Sequence, residues 1–300
     1  MKGDCAIKVE IERDVSHLQK KMLQEQRRIK LRRLFRNRLS MLGAIIVLLM
    51  IIIAVAAPLI APQDPYAITV ANRLLPPSHA HWFGTDSMGE DVFSRVIYGA
   101  RISMMVGFCV SVLAGVVGML LGLYASTNKI LDNILMRTCD GLKSIPSMLF
   151  AICLMTILGA DVKNVIFSLA ITSIPNMARI ARSEALVVRE QTYIEALRSM
   201  GASESRILWR HIMPNIISPV IVQMTFVFAS SIIQEAALSF LGAGVPAGDP
   251  SWGSILSDGK NYIYNSWWLI VFPGIFTIVS VLGFNLFGDG LRDFFDPTKT

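Results

Sequence analysis

The chain has 300 residues, of which 53% are hydrophobic and only 17% are charged. Soluble domains carry about one quarter charged residues, so this composition excludes an ordinary soluble enzyme and indicates an integral membrane protein. The formal net charge is +6, but the basic residues lie in alternate connections between apolar runs. That distribution is a topology signal of membrane proteins, and no nucleic-acid partner is expected.

Six apolar runs are long enough to cross the hydrocarbon core of a membrane, which takes roughly 20 helical residues. They lie at residues 40–61, 102–125, 142–159, 162–181, 216–241 and 267–288. The first run follows a long charged segment and predicts a retained anchor instead of a cleaved signal. The sequence therefore predicts an all-α membrane protein with six transmembrane helices.

The distribution of Lys and Arg predicts the orientation of these spans. Of the 28 such residues, 23 lie in the two terminal segments and in alternate connections, whereas four lie in the remaining connections. Because basic connections stay in the cytoplasm, both termini are predicted to be cytoplasmic. The basic segments are also expected to attract anionic membrane lipid.

Residues 1–39 form a basic segment before the first membrane helix at 40–61. Within it, residues 16–38 place apolar side chains at roughly helical intervals among many cations, which is typical of a helix lying on the inner membrane surface. A solvated basic tail that only orients the first span fits the same pattern. Both interpretations place this segment in the cytoplasm.

An extracytoplasmic loop follows at residues 62–98. It is rich in proline at its start and is expected to be extended first and helical from Asp91 onward. His79 and His81 form an H-x-H pair, but two imidazoles alone make an incomplete metal site. The four cysteines show no paired spacing, so neither a disulfide framework nor a metal site is predicted.

Residues 99–291 form the predicted core domain with the other five membrane helices. Pro146 lies inside a helical pattern and is expected to kink that helix or to start a new one. A cytoplasmic loop is predicted at 184–214, and a cytoplasmic tail at 292–300 ends the chain.

Nucleotide-binding and hydrolase motifs are missing from the sequence. No G-x-x-x-x-G-K-[ST], H-E-x-x-H or G-x-S-x-G pattern occurs, and these patterns hold phosphate, zinc or a serine nucleophile. The chain is therefore not expected to be an enzyme, and no catalytic, cofactor-binding or metal-binding residue is predicted on it.

The polar stretch YIEALRSMGASESRILWRHIMPN, residues 193–215, lies between two apolar runs. Ile194, Leu197 and Met200 recur every three residues and give a short helix one apolar stripe. Gly201 then supplies the left-handed residue that ends a helix without steric cost. A turn is predicted there.

A second helix is predicted after this turn. Ser203 is a suitable N-cap, and Glu204 lies in the first turn, where the positive end of the helix favours an anion. Pro214 marks the entry to the next span. The tip of small residues between the two helices suits close approach by another protein, although an ordinary interfacial loop fits the same pattern.

This stretch resembles the EAA loop of permease subunits of ATP-binding-cassette (ABC) importers. The pattern E-A-x-x-x-x-G is present as Glu195, Ala196 and Gly201, and Pro214 follows the second helix. The chain departs from the family's pattern at three positions, Leu197, His211 and Met213.

Further segments resemble the dipeptide, oligopeptide and nickel permease branch of these importers. FGTDSMGEDVFSRVIYGARIS (83–103) is similar to the family's GTDxxGRDvfSRviyGaRiS, with Glu90 in place of the usual arginine, which puts the role of that position in doubt. Other matching segments are DGLKSIP (140–146), EAALSFLGAGV (235–245), PSWG (250–253) and GFNLFGDGLRDFFDP (283–297). The resemblance covers about residues 35 to 298.

The resemblance implies a type I ABC importer permease fold in the bacterial inner membrane. The implied partners are a second permease subunit, two cytoplasmic ATPase subunits and an extracytoplasmic substrate-binding protein. ATP and Mg would bind the ATPases, so no cofactor is expected on this chain. The implied mechanism is alternating access, in which ATP binding and hydrolysis open the path to each side in turn.

The resemblance also assigns roles to particular residues. The residues expected to couple the chain to the ATPase are Glu195, Ala196, Gly201, Ala202, Ser203 and Glu204. Three polar residues in or near spans belong to family signatures, Glu235, Asn285 and Asp289. Because charge is costly in lipid, Glu235 and Asp289 are candidate functional groups, but hydrogen bonding within the helical bundle is the expected role.

Several functions remain open on the sequence. Import of dipeptides or oligopeptides is the leading reading, and import of glutathione, nickel or a nickel complex suits the same architecture. An ion-coupled secondary transporter is a different class, but no internal repeat and few central acids support it. A third possibility is a membrane-embedded assembly subunit whose loop binds a partner other than an ATPase.

Overall fold

The computed structural model describes residues 38–246 and 248–295, and within these ranges it is helical with no β-strand. The predicted basic segment lies outside them except for its last two residues, so its surface helix stays a prediction. The α-helices are α1 Arg38–Val55, α2 Ala57–Ile60, α3 Val92–Ala125, α4 Lys129–Lys143, α5 Ser147–Leu158, α6 Val162–Arg189, α7 Thr192–Ser199, α8 Glu204–Ile207, α9 Met213–Phe240, α10 Trp252–Gly259 and α11 Trp268–Phe295. Short 3₁₀ turns lie at Val70–Asn72 and Lys260–Tyr262, and a π turn at Leu208–Ile212.

Four continuous helical stretches are long and apolar enough to cross a membrane: α1, α3, the run from α8 to the end of α9, and α11. The pair α4 and α5 passes the same test together and would make a fifth span, with a bend of 84° between its two parts. Helix α6 has 28 residues but mixes polar with apolar side chains along its length. The predicted count of six spans therefore stays a prediction.

Two prolines explain where helices begin and end. Helix α1 stops at Val55, earlier than the predicted end at residue 61, and α2 restarts with Pro58 in its first turn, where no backbone N–H is needed. Pro146 precedes the first residue of α5 and lies at the 84° bend. The expectation that Pro146 interrupts a helix is confirmed.

The long helices define two ends of the bundle. Residues 192–212, which we call the EAA segment, lie between α6 and α9 at one end, the EAA end. Ser40 of α1 lies against Gly290 of α11, and Arg292 lines a cavity together with Asn215, so both ends of the described chain are at the EAA end. The opposite end, the far end, holds residues 62–91 and α10.

Helix α3 packs closely against α6 through two glycines. A Cβ added at Gly118 would lie 2.5 Å from the Met177 side chain, and one at Gly122 would lie 2.4 Å from the Ala178 carbonyl oxygen. Small residues at such positions let helix backbones approach closely, which is a principal source of helix association in lipid. The core on this side of α3 also includes buried side chains of α5, the EAA segment and α9.

A second core lies on the other side of α3. It joins α1, α9, α10 and α11, and Phe228 stacks on Phe284 with ring centroids 3.7 Å apart. The outer faces of α1 and α11 carry exposed large apolar side chains, among them Leu48 and Ile278. These faces suit contact with lipid, so α3 and α9 lie in the interior and α1 and α11 at the periphery.

We expect Gly122→Ala to destabilise the protein and Gly141→Ala not to. Both changes raise helix propensity by about 1 kcal/mol, and a Cβ at Gly141 meets nothing within 4 Å. At Gly122 the Cβ would meet the backbone of α6, so overpacking should cost about 1–3 kcal/mol. Thermal unfolding of both variants in the same detergent measures this difference, and equal midpoints would contradict it.

Candidate functional site

The EAA segment forms the predicted helix, turn and helix. Helix α7 ends at Ser199, and Gly201 has φ of +80°, the left-handed conformation expected from the sequence. The Ser203 hydroxyl oxygen accepts a hydrogen bond from the backbone N–H of Arg206 at 3.4 Å. The predicted N-cap is therefore present, and it starts α8.

Apolar side chains fix the EAA segment to the bundle. Ile194, Ile207 and Ile212 are fully buried in the core formed with α3, α6 and α9. Leu197 packs partly against the same core, whereas Met200 is 74% exposed. The expectation of one apolar stripe is thus wrong at Met200. Helix α7 ends at Ser199, and the Met200 side chain does not pack on the core.

The EAA segment continues into α9 without a loop. The π turn at Leu208–Ile212 joins α8 to α9, and Pro214 follows it closely, so the break in the regular hydrogen-bond ladder that a proline without an N–H imposes lies at this junction. The helical stretch from Glu204 to Phe240 contains 37 residues. Helix α8 is therefore continuous with a long helix of the bundle.

Glu204 is engaged within the chain. Its two carboxylate oxygens accept hydrogen bonds from Arg189 at 2.7 Å and from Arg198 at 3.0 Å. Arg189 also donates to the carbonyl oxygen of Ser126, just after α3, at 2.6 Å. Glu204 thus ties both helices of the EAA segment to the ends of α6 and α3.

The remaining residues of the predicted contact surface differ in exposure. Glu195, Ala196, Gly201 and Ser203 are exposed, and Ala202 is half-buried against the core. A Cβ at Gly201 would meet nothing within 4 Å. The tip is therefore accessible to a partner protein. Glu204 holds it in place through ion pairs with Arg189 and Arg198.

Glu235 has the structural role that was expected from the sequence. It is fully buried, and its carboxylate oxygens accept hydrogen bonds from three serine hydroxyls, Ser239 at 2.9 Å, Ser251 at 2.8 Å and Ser103 at 3.0 Å. These serines belong to α9, to the N-cap of α10 and to α3. The carboxyl group therefore joins three elements near the far end.

The other two signature residues differ from Glu235. Asn285 is half-buried and Asp289 is exposed on α11, and the side chain of neither forms a hydrogen bond within residues 38–246 and 248–295. The expectation of hydrogen bonding inside the bundle is wrong for Asp289, because its position on α11 faces outward while the glycines on either side of it are buried.

Arg95 lies in a buried cluster of charges at the far end. Its guanidinium forms ion pairs with Asp86 at 2.9 Å, with Glu90, and with the half-exposed Asp258 at 3.7 Å. Burial raises the pKa of Asp86 and of Asp258, and the nearby Arg95 charge opposes both increases. Glu90, which stands where the family usually has an arginine, thus forms an ion pair with Arg95.

His81 has a structural partner near this cluster. Its Nδ1 lies 3.0 Å from Asp91, whose other carboxylate oxygen accepts from the backbone N–H of Ser94 at 2.9 Å and caps α3. The helix begins at Val92, as expected from the sequence. Among the residues that the structure describes, no group of three His, Cys, Asp or Glu side chains could hold a metal ion.

Sequence reasoning missed the charge cluster around Arg95 and the ion pairs of Glu204. In the first case the signal was present, because Asp86, Glu90 and Arg95 share one short stretch at the edge of a span. Asp258 is more than 160 positions further along the chain, so only the fold brings it to Arg95. The arginine partners of Glu204 likewise depend on how the EAA segment folds back.

Two protein-family profiles match the chain. The profile described as "Binding-protein-dependent transport system inner membrane component" matches residues 114–300. The profile described as "N-terminal TM domain of oligopeptide transport permease C" matches residues 26–77.

Individual relatives give a consistent result. A peptide transport system permease protein of Brucella abortus is 45% identical over 266 residues, which cover 89% of this chain and 90% of that protein. The dipeptide transport system permease protein DppC of Alkalihalophilus pseudofirmus is 41% identical over 267 residues, covering 89% and 88%. An inward-facing structure of the MetNI methionine ABC transporter matches with a TM-score of 0.58 and 19% identity, over 68% of this chain and 97% of that one, which supports the fold alone.

We expect Arg95→Met to destabilise the protein far more than Glu90→Gln. The first change leaves buried carboxylates without a counter-charge, which costs about 3–5 kcal/mol, while the second leaves Arg95 paired with Asp86 and Asp258. Thermal unfolding at neutral pH measures both losses. The pKa of Asp86 and of Asp258 is already raised in the folded protein. The stability that Arg95→Met loses relative to the unsubstituted protein should therefore become smaller as the pH falls and these carboxylates are protonated.

We expect Glu204→Ala to loosen the EAA segment. The change removes two partly exposed ion pairs worth about 1 kcal/mol together, so amide hydrogen exchange within residues 192–206 should become about fivefold faster. Glu190→Ala is the matched control, because Glu190 is an exposed glutamate just after α6. Equal exchange rates in the two variants would contradict the bracing role of Glu204.

Proposed function

The chain belongs to the family of binding-protein-dependent transport system inner membrane components, in its dipeptide and oligopeptide branch, and we propose that it forms one half of the path by which an ABC importer takes up peptides. Its family and its apolar helices make it an integral membrane protein of the bacterial inner membrane. Relatives named for peptide and dipeptide transport support peptides as the substrate class.

The observation that carries the proposal is the construction of the EAA segment. It presents an exposed tip at Glu195, Ala196, Gly201 and Ser203, and its buried isoleucines and π turn fix that tip to α9. A partner that binds the tip can therefore move a membrane helix without bending a flexible loop. We assign the tip to an ATPase subunit; Ala202 packs against the core behind it, and the exposed Glu204 anchors it through ion pairs with Arg189 and Arg198.

The proposed assembly contains two permease subunits, two ATPase subunits and an extracytoplasmic binding protein. The EAA end faces the cytoplasm, since most basic residues between the spans lie at that end, and α6 supplies the sixth span. ATP and Mg act on the ATPases. Closure of the ATPase pair would draw the two EAA segments together and open the path outward, and hydrolysis would reset it.

One experiment separates this proposal from an ion-coupled transporter and from an assembly subunit. The chain is purified with its co-expressed neighbours, and peptide uptake into proteoliposomes is measured with ATP or with an ion gradient. We expect ATPase subunits to copurify and uptake to require ATP. Uptake driven by an ion gradient in a preparation without ATPase subunits would refute the proposal, and nickel uptake without peptide uptake would refute the substrate class.

We expect Gly201→Val to uncouple transport and Gly242→Val to leave it intact. Both glycines follow a helix with φ of +80°, both donate a backbone hydrogen bond at 2.9 Å, and a Cβ at either meets nothing within 4 Å. Valine should therefore cost about 1–2 kcal/mol at each, but only Gly201 lies at the proposed ATPase contact. Membrane insertion, ATPase stimulation and uptake are compared, and normal coupling in Gly201→Val would contradict the assignment.

A further inference from the structure

A groove runs between α6 and α9 from one end of the bundle to the other. It consists of two adjoining cavities of about 660 Å³ and 260 Å³, which share Gln223 and Phe226 in their walls. The larger cavity lies toward the EAA end, because Asn215 and Glu184 line it, and the smaller lies toward the far end, because Gln234 lines it.

One face of each helix forms a wall of this groove. The wall from α9 contains Asn215, Pro219, Gln223, Phe226, Ser230 and Gln234, at intervals of three or four residues. The wall from α6 contains Thr172, Asn176, Ile180 and Glu184, at intervals of four. Such spacing places each set on one side of its helix.

The groove is as long as the membrane is thick. Asn215 and Gln234 are 19 positions apart in one helix, which corresponds to about 29 Å, and the hydrocarbon core measures about 30 Å. A polar stripe of this length is too costly to face lipid, and polar side chains in membrane spans face the bundle interior or a water-filled cavity.

The far part of the groove offers neutral hydrogen-bonding groups. Gln223 and Gln234 are half-buried, and their amides have no hydrogen-bond partner in the described part of the chain. Thr172, Ser230 and Asn176 add further hydroxyl and amide groups. Charged side chains line the larger cavity toward the EAA end, where Glu184 and Arg292 lie, and the Lys143 ammonium group donates to the Asn176 amide oxygen at the wall of the smaller cavity.

We propose that this groove is the chain's share of the translocation path, and that Gln223 and Gln234 hydrogen-bond the backbone of the passing peptide. The inference rests on the proposed importer function and names the residues that would contact the substrate. A primary amide both donates and accepts hydrogen bonds, so it pairs with the N–H and C=O groups that every peptide has. Because Gln223 and Gln234 carry no charge, their contacts do not sort peptides by the charge of their side chains.

Two neighbouring serines provide a test of whether the groove is hydrated. Ser230 lines the groove and Ser231 is fully buried, yet both hydroxyls donate to the Val227 carbonyl oxygen. Ser230→Cys and Ser231→Cys are made in a chain whose native cysteines are replaced, Cys5, Cys109, Cys139 and Cys153. The complete transporter is treated with a negatively charged methanethiosulfonate, with and without ATP.

We expect Ser230→Cys to react at least tenfold faster than Ser231→Cys in one of the two nucleotide states. Equal protection of both thiols in both states would mean a dry interface with the second subunit, and the path assignment would be overturned. The reaction does not depend on uptake, so a reactive Ser230→Cys in a complex that transports no peptide would leave the hydrated groove intact and refute the proposed function instead.

The role of Gln223 is tested by the charge preference of uptake. We expect Gln223→Glu to lower the uptake of a peptide with aspartate side chains about tenfold relative to the same peptide with lysine, and Gln223→Leu to lower both. Thr225→Val is the matched control, because Thr225 lies on the same helix but faces Gly288 of α11 and should leave uptake unchanged. An unaltered charge preference in Gln223→Glu would overturn the contact with substrate.

Discussion

The close approach of α3 to α6 at Gly118 and Gly122 is the constraint on which the other features depend. In lipid, helices gain little by burying apolar surface, so their association relies on packing and on small residues that let backbones meet. The two glycines bring α3 within reach of the Met177 side chain and the Ala178 carbonyl oxygen. This contact fixes α6, which forms one wall of the groove and leads directly into the EAA segment.

Both walls of the groove are joined to the same short segment. The EAA segment follows α6 in the chain and continues into α9 through a π turn. Its buried isoleucines pack on both helices, and Glu204 links it back to the arginine at the end of α6. The proposed ATPase contact at the exposed tip would therefore act on both walls at once, as the proposed alternating opening of the path requires.

Local features of the structure could be predicted from the sequence, whereas contacts across the chain could not. Apolar runs located the long helices, and Gly201 and Pro146 marked a turn and a break because each imposes a backbone geometry on its own. Asp258 pairs with Arg95 only through the fold. The groove was also not predicted. Its polar residues recur every three or four positions within apolar runs, and the sequence does not show that those of α6 and α9 face each other.

The two ends of the bundle differ in how charge is held. At the far end the guanidinium of Arg95 and the carboxyl group of Glu235 are buried, Arg95 with acidic partners at one side of its guanidinium and Glu235 with three serine hydroxyls, and breaking such contacts leaves polar groups in a medium that solvates them poorly. At the EAA end Glu204 and Arg198 are partly exposed, so water can replace their contacts at little cost. Rearrangement is therefore cheapest at the EAA end, where the proposed ATPase binds, while the far end keeps α3, α9 and α10 together.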